Sequence, residues 1–197
     1  MTEPCRALRG LLEAVVREYR RILGRNLAGI YLHGSAAFGC FRWQTSDIDL
    51  LVAVHAPPSS RQKEGLVRTL LAQGTAAPPA GFEMSVVLVR YCRQFVWPVP
   101  YELHFSNMHR ASFEKDLSAA CARMHGTDKD LAAHFAVTRA AGVTLWGESP
   151  RTMFCAIPPG AYKAAILYDA ATAVQDAGPK PVQVVLNLCR ALAFWRQ

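Results

Sequence analysis

No two of the six cysteines in this chain stand in C-x-x-C spacing; they are scattered at positions 5, 40, 92, 121, 155 and 189. That excludes a zinc ribbon and reads as free thiols in a reducing, cytoplasmic compartment. No stretch approaches the roughly 18 consecutive apolar residues of a membrane span. The first residues carry Glu3 and several arginines instead of an apolar segment, so no signal peptide is expected. There is no dense Lys/Arg run with interleaved aromatics, which leaves nucleic acid only a fallback among the expected partners. Internal repeats and low-complexity tracts are also absent. Acidic residues are the scarcer charge, 15 against 22 basic, for a formal charge of +7. A basic balance suits an anionic ligand such as a nucleotide. What the chain does have is apolar bulk, 51% of 197 residues. This supports a substantial core in one large domain or two small ones and excludes a disordered chain.

One stretch organises the rest. An apolar run over 27–32 leads into His33-Gly34-Ser35; eleven residues later comes Ser46-Asp47-Ile48-Asp49-Leu50-Leu51-Val52. Residues two apart on a strand share a face. Asp47 and Asp49 therefore project side by side, with Ile48 and Leu50 buried opposite. Two adjacent carboxylates repel, and a hard cation relieves them. Magnesium fits, because it takes one or two carboxylates, keeps waters and shares phosphate oxygens. Gly34 lets the backbone approach a phosphate closely, and Ser35 adds a hydroxyl donor. A phosphate cradle beside a metal pair reads as phosphoryl or nucleotidyl transfer.

The remaining pattern supplies a scaffold. Residues 5–23 have apolar positions at helical spacing, with arginines on the other face that read as a solvated surface. Strands are expected over 27–32, 49–54 and 82–89, the second buried on both faces, and a helix over 59–73. Glu83 opens the third strand in an otherwise apolar stretch, where an acid is costly unless something uses it. As a third carboxylate beside the Asp pair it would complete metal binding or act as general base. Glu102 and His104, after the Trp97–Tyr101 loop, read as ordinary hydrogen-bonded or exposed polar residues. A helix is expected over 112–124 with Ser112 as N-cap. From Thr127 onward helices alone are expected: one capped by residues 127–130 and running to 141, then 161–175 and 181–195, with an extended piece and turn over 143–150. The fold class is α+β, a small mixed sheet with flanking helices over 1–110 and an all-helical part over 111–197, the boundary falling near 107–126. The chain stops at Phe194-Trp195-Arg196-Gln197 inside an apolar helical pattern, read either as a short natural ending or as a truncated record.

The Gly34-Ser35 and Asp47-Ile48-Asp49 pattern resembles the signature of the DNA polymerase beta-like nucleotidyltransferase superfamily. Within it the chain is similar to the streptomycin/spectinomycin adenylyltransferases. The landmarks are Tyr31–Ser35, Ser46–Val52, Phe82-Glu83, Glu102–Phe105, Asp130–Ala132, Leu145–Pro150 and Val184–Arg190. The resemblance implies a nucleotidyltransferase core and transfer of AMP from ATP to a hydroxyl of an aminoglycoside-type antibiotic, hence resistance. It assigns Gly34, Ser35 and Ser46 to the ATP phosphates, Asp47 and Asp49 to magnesium, Glu83 to the catalytic base, and Arg190 to the domain interface near the nucleotide. It is departed from where the acceptor would bind: Met108 stands where a tryptophan is expected, Lys180 in place of an acid, and Gln183 in place of another polar partner. A lysine there would repel a polycationic drug. Two alternatives stay open, a protein-modifying nucleotidyltransferase of toxin–antitoxin type and a nucleotide-binding protein without turnover. Convergence of Asp47, Asp49 and Glu83 on one cleft would favour catalysis.

Overall fold

The computed structural model describes residues 3–175 and, beyond them, Val185, Leu188, Cys189 and Leu192. Helix α1 (Glu3–Leu23) buries Leu11, Leu12, Val15, Tyr19 and Leu23 along one stripe. A 3-10 turn at Gly24–Asn26, with Gly24 at φ 53°, turns the chain into β1 (Leu27–Leu32). The short helix α2 (Gly34–Ala37) follows, then β2 (Ile48–Val54), α3 (Ser60–Gln73) and β3 (Phe82–Leu88). Ser59 caps α3 in a reciprocal capping box with Gln62, the arrangement that satisfies two orphan amides at a helix start.

The later elements are α4 (Val89–Arg93), β4 (Val99–Tyr101), β5 (Leu103–Phe105), α5 (Arg110–Lys115), α6 (Leu117–Arg123) and β6 (Gly126–Asp128). They continue as α7 (Leu131–Ala141), β7 (Val143–Gly147), α8 (Pro150–Met153) and α9 (Pro159–Gln175). The main sheet has the order β5-β3-β2-β1-β7, with β4 and β6 forming a separate pair. Among the described residues only β2 and β3 run parallel, and the other pairings are antiparallel. α3 makes the crossover that a parallel pair requires.

β2 and β3 are buried on both faces because two apolar layers cover them. On one side Ile48, Leu50, Val52 and Met84 meet α1 and α3 through Leu12, Tyr19, Leu66 and Leu70. On the other, Leu51, Ala53 and Val87 meet Leu131 and Phe135 of α7 with Met153 and Phe154. Burial of this kind contributes roughly 1.5–3 kcal/mol per large side chain, before ordering costs.

The mixed sheet with flanking helices is the expected fold class. Three local expectations are corrected. The stretch after Thr127 is not helices only: β7 hydrogen-bonds along β1, and β6 pairs with β4. β1 left an open edge, and Val143-Thr144-Leu145-Trp146 has the branched and aromatic side chains that fill one. The helix over 112–124 is two helices, because Asp116 sits in extended backbone (φ −153°) and its carboxylate accepts from the Ala119 amide at 3.0 Å. Asp favours a cap over a helix interior. Ser112 is accordingly inside α5 and is not its cap. Of the helix expected over 181–195, only the four residues named above are described.

Candidate active site

The parallel register of β2 and β3 sets Asp49 opposite Glu83. Asp47, one residue before β2, shares the Asp49 face, while Ile48 and Leu50 are buried on the other. Carboxylate oxygens of Asp47, Asp49 and Glu83 lie within 4.8 Å of one another. All three side chains are partly buried. The sequence-expected trio thus converges on one spot. Burial pushes the Glu83 carboxyl above its ordinary range, Asp47, Asp130 and Asp128 push the same way, and His134 opposes them.

The cradle is built from the end of β1. His33 is extended and buried, and its amide donates to the Asp49 carbonyl at 3.0 Å. Gly34 takes φ 60°, and a Cβ there would sit 1.8 Å from Asp49 Oδ2. Only glycine combines this backbone with this closeness. Ser35 Oγ is buried and has no hydrogen-bond partner among the described residues. The chain wraps back through the Phe38 amide to Gly34 O (3.1 Å) and the Cys40 amide to Ser35 O (3.0 Å). Ser46 lies in the loop just before Asp47. Its Oγ accepts from the Arg42 amide at 3.1 Å, closing the loop that delivers Asp47. Arg190, Lys180 and Gln183 lie outside the described residues.

Three carboxylates, Asp49 and Glu83 from paired strands and Asp47 from the loop just before β2, with an orphaned buried hydroxyl, form a donor set that fits a hard divalent cation with phosphate oxygens. Asp47 and Asp49 are the residues that would hold magnesium.

His134 was missed in the sequence. Its Nε2 lies 3.0 Å from Asp130 Oδ2, and its ring centroid 5.0 Å from that of His33. Burial disfavours its charge, but Asp130, Glu83 and Asp49 override that and carry its pKa to about 10. The Asp130–His134 spacing of four on a helix was a visible signal for a pair. Its proximity to β2 and β3 was not. A cleft of about 120 Å³ opens beside the carboxylates, lined by Asp47, Glu83, Ser106, Asn107 and Met108 with Ala80 and Phe82. Asn107 Nδ2 donates to the Pro79 and Ala80 carbonyls at 3.2 and 2.8 Å and shapes its rim.

Glu102 and His104 behave as the ordinary polar residues they were read to be. Glu102 faces Lys63 Nζ at 4.0 Å, and His104 Nδ1 pairs with Ser85 Oγ at 3.0 Å. Burial, with His109 and His134 nearby, lowers the His104 pKa from 6.5 to about 4. A lowered histidine pKa leaves stability intact above the unfolded value of 6.5. Stability then falls between there and about 4, as the unfolded chain takes up a proton that the folded one refuses. The loss is on the order of 3 kcal/mol at about 1.36 kcal/mol per pH unit. Urea titrations across this window should show His104→Asn with a shallower acid limb than the parent; parallel curves would contradict the assignment.

No protein-family model matches the chain. Among solved structures, it is similar to a spectinomycin adenyltransferase, AAD(9) from Enterococcus faecialis, crystallised with ATP and spectinomycin. The TM-score is 0.81 and the identity 18%, over 93% of this chain and 74% of that one. A toxin–antitoxin structure with AMP-PNP matches at TM-score 0.38 and 17% identity, over 86% of this chain and 97% of that one, a likeness too low to carry an argument. The first comparison shows that this chain has the nucleotidyltransferase fold.

Proposed function

We propose that this fold carries its adenyltransferase chemistry here: a magnesium-dependent transfer of AMP from ATP to a hydroxyl of a small cationic acceptor. The observation that carries the reading is the convergence of Asp47, Asp49 and Glu83 beside the Gly34–Ser35 turn. Bound magnesium would neutralise phosphate charge and steady the attacking and leaving oxygens. Ser35 donates its otherwise unpartnered hydroxyl to a phosphate oxygen, and Gly34 leaves room for the phosphates. Glu83 accepts the proton of the acceptor hydroxyl as that oxygen bonds to the α-phosphorus; the bond to the bridging oxygen breaks and pyrophosphate leaves. Burial raises the proton affinity of Glu83, which suits a base working near neutral pH.

The acceptor site is the cleft that holds Asp47 and Glu83. Its described lining carries two acids and no basic residue, which favours a cation. Ser106 and Asn107 offer neutral hydrogen bonds, and Met108, 73% exposed at the rim, offers a flat apolar contact. An aminoglycoside-type or aminocyclitol antibiotic has this chemistry, and spectinomycin, the compound in the similar structure, is the first to try. Arg190 is proposed on resemblance alone to reach the nucleotide.

The test is pyrophosphate release from ATP and magnesium against streptomycin, spectinomycin and further aminoglycosides, with Asp47→Ala as the blank. Release should depend on one compound and vanish in Asp47→Ala. Compound-dependent release that survives Asp47→Ala, or no release with any compound, would overturn the reading.

A further inference from the structure

A second cleft, larger than the one at the carboxylates, lies elsewhere on the chain. About 440 Å³ in size, it lies between the end of α1 and β7 and is lined by Arg17, Arg20, Arg21, Gly24, Leu27 and Trp146. It sits at the Leu27 end of β1, whereas the carboxylates lie beyond Leu32. The two are therefore separated by about the length of the strand, roughly 17 Å.

Its charge is opposite to that of the carboxylate cleft. Residues 1–26 carry six arginines against three glutamates, and three of those arginines line this one hollow. Arginines in a last helical turn ordinarily offset the helix end, which amounts to about half a negative charge. Glu18 neutralises one more, bonding Arg21 at 2.9 Å and lying 3.8 Å from Arg17. An excess of about one and a half positive charges remains in the hollow. Arg17 and Arg21 stand one turn apart on the same face, a like-charge spacing that costs an isolated helix a few tenths of a kcal/mol. No carboxylate is among the lining residues.

The site is also pre-organised. The Arg20 guanidinium carbon lies over the Trp146 ring, 3.6 Å from its centroid. That cation–π contact restrains the guanidinium within the hollow. Arg17 and Arg21 flank it with side chains 70% and 71% exposed, able to swing onto a ligand. The arginine face expected to be merely solvated is thus partly gathered into a concave, aromatic-backed pocket.

We propose that this cleft is a second binding site, for a small phosphate-bearing anion, gripped by Arg20 with Arg17 and Arg21. Guanidinium forks match phosphate oxygens bidentately, and the volume lies in the range of small-ligand pockets. The site does not depend on the transfer reaction.

The experiment is calorimetric titration of inorganic pyrophosphate into the whole protein in chelator, free of divalent cations. Under those conditions the Asp47–Asp49–Glu83 cleft repels phosphate, so saturable binding reports the arginine cleft. Wild type should bind one pyrophosphate. Arg17→Gln/Arg21→Gln should bind it at least about tenfold more weakly, the loss of two charge-assisted contacts. Arg61→Gln/Arg123→Gln removes the same charge from exposed positions elsewhere and should leave binding within twofold. Absence of saturable binding, or equal weakening in both double variants, would overturn the proposal, the second outcome showing only diffuse attraction to a basic protein.

Discussion

Glu83→Gln is expected to lower AMP transfer by about 10²–10⁴-fold, the usual contribution of a positioned general base, while raising the thermal midpoint of the metal-free protein. Both effects have one cause. Glu83 lies in the sheet register opposite Asp49, partly buried, with Asp47, Asp49, Asp128 and Asp130 around it. Burial and these acids make its ionised form costly in the fold, and the nearby His134 offsets only part of that cost. A carboxyl with a raised folded pKa weakens the fold at neutral pH and stops doing so as the pH falls through that pKa towards its ordinary value of 4.5. Glutamine keeps the shape and removes the charge. The stability gain of Glu83→Gln should accordingly be largest at neutral pH and close on acidification. Transfer kinetics and thermal melts in chelator check the two halves. A variant that is slower but also less stable at neutral pH would mean that Glu83 is a structural anchor.

Gly34→Ala is expected to cost both stability and turnover. Its φ of 60° belongs to the left-handed region, which costs a residue with a Cβ roughly 1–2 kcal/mol. The added carbon would also sit 1.8 Å from Asp49 Oδ2, far inside van der Waals contact. Either the turn or the Asp49 carboxylate must move by more than 1 Å, and a shift of that size at a reacting centre costs about 10²-fold. We therefore expect a loss of roughly 1–3 kcal/mol in urea unfolding and at least about a hundredfold loss of transfer. Ser35→Ala next door, which removes an unpartnered hydroxyl without a clash, should leave stability nearly unchanged. A Gly34→Ala variant within twofold of the parent rate would contradict the cradle as drawn.

The site was legible where its geometry is local. Asp47-Ile48-Asp49 declares a shared face through the period of a strand, and Gly34 marks a turn that tolerates no side chain. Glu83 stood out as an acid in an apolar run, but its partnership with Asp49 depends on β2 and β3 pairing in parallel at zero offset. No local pattern encodes that pairing. His134 was invisible as a site residue because it comes from α7, packed behind the sheet. Its pair with Asp130 could be read from spacing, its destination could not. The extended piece over 143–150 was legible, but its five residues become the edge strand β7 only because β1 leaves an edge open. Asp116 shows the reverse case: the capping preference was present in the sequence, and the helical period around it masked the break. The arginines of α1 were correctly placed opposite the core stripe. That three of them close a hollow with Trp146, 126 residues after Arg20, required the fold.

The central claim is nucleotidyl transfer, and the fate of the phosphates tests it most directly. The protein would be incubated with magnesium, the acceptor that supports pyrophosphate release, and ATP labelled in turn at the α- and the γ-phosphate. The account predicts α-label on the acceptor, γ-label only in pyrophosphate, and neither in Asp47→Ala. γ-Label on the acceptor would make the protein a phosphotransferase. α-Label found only in free AMP would make it a hydrolase, and either result would contradict the account.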